Sequence, residues 1–321
     1  MPLVRTQRTI RQPVAVQGMG YWSGRRVRVE FRPAPADSGI TFVRDDLGPS
    51  ARVPARAEYR IEVPRRTNLN CQGVQVDMVE HIMATLAGLR IDNCDVGVDQ
   101  VEMPGCDGSA LEFVKAIDSV GSREQVREVS RLEVTETVRQ TLGDAWIEAR
   151  PSHTGDYTVQ FELDYPCDSV IGRQTAYAAI TPDEFRREIA PCRTFVLQRE
   201  ADDMVRRGLG TQVTPRDLLV FDNYGPVDNQ LRFTNECARH KVLDVIGDMA
   251  LTGCEIVSQI VAYRSGHRLH AALAGELTAR FKEAASLRGS RVESPESRAR
   301  VRVPSLLALD SGLSTLDSRQ E

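Results

Sequence analysis

The sequence has no run of about 20 consecutive apolar residues, the length that a helix needs to cross a bilayer. It also lacks an excess of positive charge, because 41 Lys and Arg residues face 45 Asp and Glu residues and the formal net charge is −4. We therefore expect neither a transmembrane segment nor nucleic-acid binding. Residues 1–24 include basic side chains but no continuous apolar stretch, so we expect no secretory signal.

A regular cysteine pattern is also absent. The seven cysteines occur at no fixed spacing and form no Cys-x-x-Cys pair. Unpaired thiols of this kind are typical of proteins from a reducing compartment, so we expect a cytoplasmic protein. Separately, we expect a monomer. The chain has 321 residues and 41% hydrophobic residues, which is sufficient for two domains with a core each.

Histidine, the commonest zinc ligand in proteins, occurs only five times. The five positions are His81, His153, His240, His267 and His270. No His-Glu-x-x-His helix is present, so a metallopeptidase is the last of the zinc hydrolases that we would choose. His153 lies in a Pro-Ser-His-Thr-Gly turn that is typical of a protein surface, whereas His270 follows His267 closely enough to share its surroundings.

The most informative stretch is a predicted helix from Asn235 to Leu251, which the sequence ends at Gly253. Its apolar residues share one face, and His240, Asp244 and Asp248 share the opposite face within roughly 80° of each other. Taken alone, this stripe is better explained as the solvated face of an amphipathic helix. As a functional feature, it would let an imidazole and a carboxylate bind one metal ion.

A second helix, predicted from Met78 to Leu89, carries adjacent Glu80 and His81 near its start. One of the two can bind a metal while the other reaches a water molecule on that metal. The structural alternatives are a first-turn acid favoured by the helix dipole and a hydrogen-bonded core histidine. His267, in the turn Ser265-Gly266-His267, is a candidate general acid, and Asp248 could hold it and keep it charged.

The order of predicted elements indicates an α+β protein. Strands and two helices occur in each half, which suggests two similar α+β domains, each a small sheet plus two helices, although no repeat is visible at the residue level. Charged residues 121–128 are the predicted boundary. We therefore expect an N-terminal domain at 1–125, a C-terminal domain at 126–285 and a disordered tail at 286–321, which is rich in Ser, Arg, Glu and Pro.

Several separate motifs, in the same order, make residues 5–280 resemble the UDP-3-O-acyl-N-acetylglucosamine deacetylase family, the zinc amidases of lipid A biosynthesis. The motifs are Gly18-Met19-Gly20-Tyr21-Trp22-Ser23-Gly24, Arg32-Pro33-Ala34-Pro35-Ala36, residues 79–89, Ile91-Asp92-Asn93, Glu102-Met103-Pro104, Asp107-Gly108-Ser109-Ala110, Arg193-Thr194-Phe195, Leu231-Arg232-Phe233 with Glu236, residues 239–248 and Ser265-Gly266-His267.

The resemblance implies a role for each candidate residue. It implies that His81, His240 and Asp244 hold Zn²⁺, with Fe²⁺ as the alternative. Glu80 resembles the family's general base, His267 its cationic group that stabilises the oxyanion and protonates the leaving amine, and Asp248 the residue that orients His267. Thr194 matches a threonine near the oxyanion, Lys241 an active-site lysine and Arg264 a basic residue near the substrate diphosphate. Leu69 and Phe195 match positions near the acyl chain and the sugar.

The family fold implies two domains packed helix layer against helix layer, each with an inserted subdomain, here near residues 40–70 and 196–222. The second insert is expected to help form an apolar passage for a fatty acyl chain. The sequence departs from the family pattern at Tyr21-Trp22, where Leu-His is usual, and at Gly105-Cys106, where an apolar pair such as Ile-Met is usual. It also has Leu269-His270 where Leu-Asn is usual.

The predicted activity is zinc-dependent hydrolysis of the N-acetyl group of UDP-3-O-acyl-N-acetylglucosamine, an amphiphilic sugar nucleotide. Acetate and UDP-3-O-acyl-glucosamine would be the products. One alternative is a paralogous deacetylase that acts on another N-acyl sugar or amphiphile. The other is a catalytically silent zinc-binding regulatory protein, against which the presence of both Glu80 and His267 argues.

Overall fold

The computed structural model describes residues 4–167, 169–289 and 300–303, and within them short strands and helices form an α+β fold. The helices are α1 (Glu80–Gly88), α2 (Leu111–Val120), α3 (Pro182–Glu184), α4 (Gln198–Arg206), α5 (Glu236–Met249) and α6 (His267–Gly289). Shorter turns of 3₁₀-helix occur at Asp45–Leu47, Ala57–Tyr59 and Ala250–Thr252, and a π-helical turn occurs at Phe185–Ile189.

The strands belong to two larger and three small sheets. They are β1 (Thr6–Ile10), β2 (Val14–Met19), β3 (Arg26–Pro33), β4 (Ile40–Arg44), β5 (Arg52–Pro54), β6 (Arg60–Ile61), β7 (Asn68–Cys71), β8 (Val74–Val76), β9 (Cys94–Val98), β10 (Ser122–Glu128), β11 (Arg131–Val134), β12 (Val138–Leu142), β13 (Ala145–Arg150), β14 (Tyr157–Asp164), β15 (Arg173–Ala179), β16 (Phe195–Leu197), β17 (Leu219–Phe221), β18 (Glu255–Tyr263) and β19 (Arg300–Val303).

The first half of the chain is built on a five-stranded sheet in the order β2-β3-β9-β4-β5. In β3 the side chains of Val27, Val29 and Phe31 are buried, and the alternate residues face outward, as the period of two in the sequence predicts. Phe31 meets Phe113 of α2 edge to face at 6.1 Å. This contact packs the sheet against the helix layer of the same half.

The second half is built on a seven-stranded sheet whose centre is β18, which pairs with β11, β13 and β14. Helix α5 packs on β14 and β15 of this sheet, and α6 packs on α5. Helix α5 continues into a turn of 3₁₀-helix and ends at Gly253, the residue at which the sequence predicted its end, and the φ of Gly253, 67°, is left-handed. The predicted helix at Met78–Leu89 is likewise confirmed as α1.

The two halves meet where α1 packs against α5. At the crossing, Gly247 of α5 lies so close to α1 that an added Cβ would be 2.1 Å from the carbonyl oxygen of Glu80. Only a residue without a side chain allows this approach. The helix layers of the two halves therefore face each other, and the residues of α1 and α5 on the contact are buried.

Each of the two regions in which an insert is predicted contains a small sheet. The small sheet of the first region lies further along the chain than the predicted insert. Strands β4 and β5, inside residues 40–70, belong to the five-stranded sheet, and the separate three-stranded sheet is β6-β7-β8 at residues 60–76. Residues 195–221 form a unit of β16, α4 and β17 in which the two short strands pair in parallel. The boundaries of the two domains themselves stay a prediction.

Within the predicted boundary at 121–128, Ser122–Glu128 form β10, which pairs antiparallel with β1. The predicted disorder from residue 286 is wrong at two places, because α6 continues to Gly289 and β19 pairs in parallel with β11. Residues 300–303 alternate Arg and Val, a period of two that fits a strand, but the run is only four residues long and lies in a segment whose composition is typical of disorder. The rest of that tail, 290–299 and 304–321, lies outside the described residues.

None of the described helices combines the length and the apolar composition of a membrane-crossing segment.

The close approach of α1 and α5 predicts that Gly247→Ala destabilises the protein. The new methyl group would overlap the backbone of Glu80, and overpacking of this kind typically costs about 1–3 kcal/mol. Gly275→Ala in α6 is the matched control, because its Cβ would meet nothing within 4 Å and alanine favours a helix. Thermal unfolding should show a lower midpoint for Gly247→Ala only, and an unchanged midpoint would contradict the close contact.

Candidate metal centre and active site

The three side chains predicted to bind a metal, those of His81, His240 and Asp244, come together where α1 contacts α5. His81 lies in the first turn of α1, and His240 and Asp244 lie in consecutive turns of α5. One ligand atom from each lies within 4.8 Å of the other two, and all three residues are buried. The His240 Nε2 and Asp244 Oδ1 atoms are 3.4 Å apart, and the two imidazole rings meet edge to face at 5.1 Å.

A backbone carbonyl fixes the direction of His240. Its Nδ1 lies 3.0 Å from the carbonyl oxygen of Cys192, which leaves Nε2 toward the ligand cluster. The next residue, Arg193, forms a buried ion pair with Glu236 at 2.8 Å, and its backbone N–H donates to the same carboxylate. Because Glu236 begins α5, this pair holds the 192–194 segment against the helix that carries His240.

The donor set fits a divalent metal ion of the zinc type. Two imidazoles and one carboxylate form a common three-ligand catalytic zinc set. The Nδ1 atom of His81 is buried and has no hydrogen-bond partner in the described structure. A buried nitrogen without a partner is costly, and a bound metal or a solvent molecule near the cluster would relieve that cost. The geometry therefore fits a centre for one divalent metal ion.

The protonation states suit metal binding. Burial, together with nearby His240, lowers the pKa of His81 to about 3, so its imidazole is neutral at neutral pH. Burial also lowers the pKa of His240. Burial alone would raise the pKa of Asp244, but the charge of Lys241 and the neighbouring histidines bring it below its usual range. The Lys241 Nζ atom donates to Asp244 Oδ2 at 2.8 Å.

Glu80 lies next to the ligands in sequence and in space. Its side chain is buried, and its Oε2 accepts a hydrogen bond from the backbone N–H of Thr67 at 3.0 Å. Burial raises the pKa of Glu80 to about 7, and the positive charge of His267 opposes that rise. A carboxylate that titrates near neutral pH can accept a proton from water and release it again.

Asp248 receives hydrogen bonds from three side chains. Its Oδ2 lies 2.8 Å from Nδ1 of His267 and 2.8 Å from Nδ1 of His270, and its Oδ1 accepts from the Thr67 hydroxyl at 2.5 Å. The other ring nitrogen of His270, Nε2, lies 2.8 Å from the Ser265 hydroxyl. Burial lowers the pKa of His270, so it is the neutral partner in this network.

His267 is the cationic group of the site. Burial by itself would lower the pKa of His267, but Asp248 outweighs it and raises that pKa to about 9. Its Nε2 lies 4.0 Å from Asp244 Oδ2, so the free ring nitrogen faces the ligand cluster. Near neutral pH the site therefore combines an imidazolium and a carboxyl group of raised pKa close to the three ligands.

A cavity of about 970 Å³ opens from this cluster. Its lining includes the predicted site residues Glu80, His81, Thr194, Phe195, Lys241, Arg264 and His267. The insert at 195–221 supplies the apolar side chains of Val196, Met204, Val205, Leu209, Val213, Leu218 and Val220. Arg264 is exposed, and its φ of 51° is left-handed. A second cavity of about 380 Å³ lies elsewhere and contains none of the predicted site residues.

Leu69 is the predicted contact that the structure does not bring to the cavity. It lies in β7, pairs with Arg60 and Val76, and has no exposed surface. Its place in the core explains an apolar residue there without any role in substrate contact. Phe195, by contrast, lines the cavity and packs edge to face against Phe221 at 6.4 Å and against His240 at 6.5 Å.

Thr67 is the site residue that sequence reasoning missed. Its backbone N–H binds Glu80, and its hydroxyl lies between Asp248 and His267. Nothing in the residues around it distinguishes it from an ordinary polar residue of a turn. His270 was singled out only for its closeness to His267, and it forms part of the Asp248 network. His153 is exposed, as predicted for a surface turn.

Comparison with known proteins gives one family. Residues 7–279 match the family model described as UDP-3-O-acyl N-acetylglycosamine deacetylase, LpxC. Curated relatives that carry the name UDP-3-O-acyl-N-acetylglucosamine deacetylase include proteins from Anaeromyxobacter sp. (strain Fw109-5), Anaeromyxobacter dehalogenans and Shewanella violacea. They are 38%, 37% and 36% identical to this chain over 85%, 94% and 85% of its length, and over 88%, 96% and 90% of their own.

The convergence of the three ligands predicts their effect on metal content. His81→Ala, His240→Ala and Asp244→Ala should each reduce the metal bound to the purified protein severalfold, because each removes one of only three protein ligands. His153→Ala, which alters an exposed histidine, is the control. Elemental analysis of the four variants would make the comparison. Metal content that stays at the unaltered level in all three ligand variants would contradict the assignment.

Proposed function

Because the chain belongs to the UDP-3-O-acyl-N-acetylglucosamine deacetylase family, we propose that it removes the acetyl group from UDP-3-O-acyl-N-acetylglucosamine. The products are acetate and UDP-3-O-acyl-glucosamine, and the step belongs to lipid A biosynthesis. One observation carries the proposal at the level of residues. Buried Glu80 and His267 lie beside the His81, His240 and Asp244 cluster and line a cavity whose surface is mostly apolar.

The metal in this proposal is zinc, with Fe²⁺ as the alternative. His81, His240 and Asp244 would hold it, and the donor set of two nitrogens and one oxygen suits either ion. When bound, a divalent ion with an open coordination position polarises an amide carbonyl and lowers the pKa of a water molecule. Lys241 lies beside Asp244 and keeps that ligand ionised.

Glu80 and His267 divide the proton transfers between them. Glu80 accepts a proton from the attacking water while the water oxygen bonds to the amide carbonyl carbon. The imidazolium of His267, held by Asp248, stabilises the negative charge that develops on the carbonyl oxygen. The carbon–nitrogen bond then breaks as His267 donates its proton to the leaving nitrogen, so the amine departs neutral together with acetic acid, which gives its remaining proton to water and leaves as acetate.

The remaining residues of the cavity suit the two ends of the proposed substrate. Thr194 and Lys241 line the cavity beside the ligands, where a hydroxyl and a cation can bind the acetamido group. Arg264 is exposed at the cavity and offers a guanidinium to a diphosphate. The apolar side chains of the 195–221 insert provide a surface for a 3-O-acyl chain.

We also propose that the protein acts as a monomer in the cytoplasm. All seven cysteines are free, which agrees with a reducing compartment. The candidate active site is composed of residues from one chain, so its chemistry requires no second copy.

The direct test is incubation of the metal-loaded protein with UDP-3-O-acyl-N-acetylglucosamine and mass spectrometry of the product. Loss of one acetyl group is expected. Glu80→Gln and His267→Ala should keep the metal and lose about 10²-fold or more in kcat, because general acid–base groups typically contribute 10²–10⁴-fold. Release of the longer 3-O-acyl chain in place of acetate would contradict the proposal, and so would full activity of either metal-loaded variant.

The two shifted groups predict a bell-shaped pH dependence. Activity should rise as Glu80 deprotonates, with a pKa of about 7, and fall as His267 loses its proton, with a pKa of about 9. Asp248→Asn removes the charge that raises the pKa of His267, so the alkaline limb should move to lower pH. Asp183→Asn, at an exposed aspartate, should leave the profile of kcat against pH unchanged. An alkaline limb that stays in place in Asp248→Asn would show that Asp248 does not control His267.

A further inference from the structure

The loop at residues 20–24, one wall of the cavity, is anchored to the N-terminal half of the chain. Buried Glu102 accepts hydrogen bonds from the backbone N–H groups of Trp22 at 2.8 Å and Ser23 at 2.9 Å. A Cβ at Gly20 would lie 2.5 Å from Oε2 of this carboxylate, so the loop backbone packs directly on it. The loop is therefore a fixed support for the side chains of Tyr21 and Trp22, which line the cavity.

Tyr21 fills the space that a side chain at position 105 would need. A Cβ at Gly105 would lie 2.0–2.4 Å from three carbon atoms of the Tyr21 ring. Both positions depart from the pattern of the family, in which leucine is usual at the first and an apolar residue such as isoleucine at the second. The larger residue at 21 and the missing side chain at 105 therefore compensate for each other in volume.

The Tyr21 hydroxyl connects this wall to the 209–218 segment, which also lines the cavity. Its proton is shared between the carbonyl oxygens of Gly105, at 3.1 Å, and Asp217. Asp217 closes a turn in which its Oδ2 accepts from both the backbone N–H and the hydroxyl of Thr214 at 2.8 Å. Leu218, the next residue, lines the cavity and leads into β17. A phenylalanine or leucine at position 21 could not make this connection.

We propose that Tyr21 is a specificity-determining residue that holds the 209–218 segment at a fixed distance from the 20–24 loop and thereby sets the width of the apolar passage. The inference rests on the proposed function, in which this cavity takes the 3-O-acyl chain. A wall held at a fixed distance keeps its contacts with every methylene of a long chain, whereas a mobile wall loses some of them. Tyr21 thus favours long chains over short ones.

The first experiment uses Tyr21→Phe, which removes only the hydroxyl. Substrates with a 3-O-tetradecanoyl and a 3-O-butanoyl chain are compared by kcat/KM. Losing the contacts of one or two methylenes weakens binding by about four- to fifteenfold, so the ratio of the two values should fall by that factor, mainly through KM of the long-chain substrate. Tyr177→Phe, at an exposed tyrosine of β15, is the control. An unchanged ratio in Tyr21→Phe would overturn the proposal.

The second experiment does not depend on activity. Hydrogen exchange of peptides that cover residues 209–218 should be faster in Tyr21→Phe than in the unaltered protein and the Tyr177→Phe control, because the contact with Asp217 is lost. Equal exchange rates would overturn the proposal even if substrate selectivity changed. If the unaltered protein releases no acetate from either substrate, the proposed function fails, and faster exchange would still support the connection between the two walls.

A third experiment measures the stability of variants at positions 21 and 105, because the Tyr21 ring occupies the space that a side chain at position 105 would need. Gly105→Ala alone should lower the unfolding midpoint, because its methyl group overlaps the Tyr21 ring. Tyr21→Leu alone should also lower it, because a smaller side chain leaves a void. The combined Tyr21→Leu and Gly105→Ala protein should be more stable than the sum of the two single effects predicts. Simple additivity would show that the two residues do not share this space.

Discussion

The packing of α1 against α5 is the constraint on which the rest of the active site depends. Neither helix carries a complete metal site, since α1 provides only His81 and α5 provides His240 and Asp244. The two sets of ligands meet because Gly247 lets the backbone of α5 approach Glu80 of α1. The same contact buries Glu80, and that burial raises its pKa into the range of a general base. Helix packing and acid–base chemistry are thus two results of one close approach.

Asp248 shows how the site keeps a charged histidine in a buried position. Two imidazoles donate to one carboxylate oxygen, but only His267 has a raised pKa, while burial keeps the pKa of His270 low. One negative charge is then balanced by one positive charge, and the neutral His270 donates from Nδ1 to Asp248 while its Nε2 accepts a hydrogen bond from the Ser265 hydroxyl. A buried charge with a single opposite partner and satisfied hydrogen bonds is far less costly than an isolated one.

The family resemblance grouped His81 with His240 and Asp244, whereas side-chain patterns in the sequence predicted the α+β class, both helices of the site and the pair His240 and Asp244. They could do so because helical spacing and residue type are local properties. Thr67 could not be found in this way, since it acts through a backbone N–H and a contact with a residue 181 positions away. Nor could the carbonyl of Cys192, because every residue has one. Leu69 lies in the core and does not line the cavity, a difference that the sequence cannot show because an apolar residue looks the same whether it faces a cavity or the core.

X-ray absorption at the zinc edge of the purified protein tests the central claim most directly. If α1 and α5 together form the metal centre, the spectrum should fit two imidazole nitrogens at about 2.0–2.1 Å and oxygen ligands at about 2.0–2.2 Å. His240→Ala, which disrupts the half of the site on α5, should lose most of the bound metal. A sulfur shell at about 2.3 Å would contradict the account, because it would place the metal on one or more of the seven cysteines.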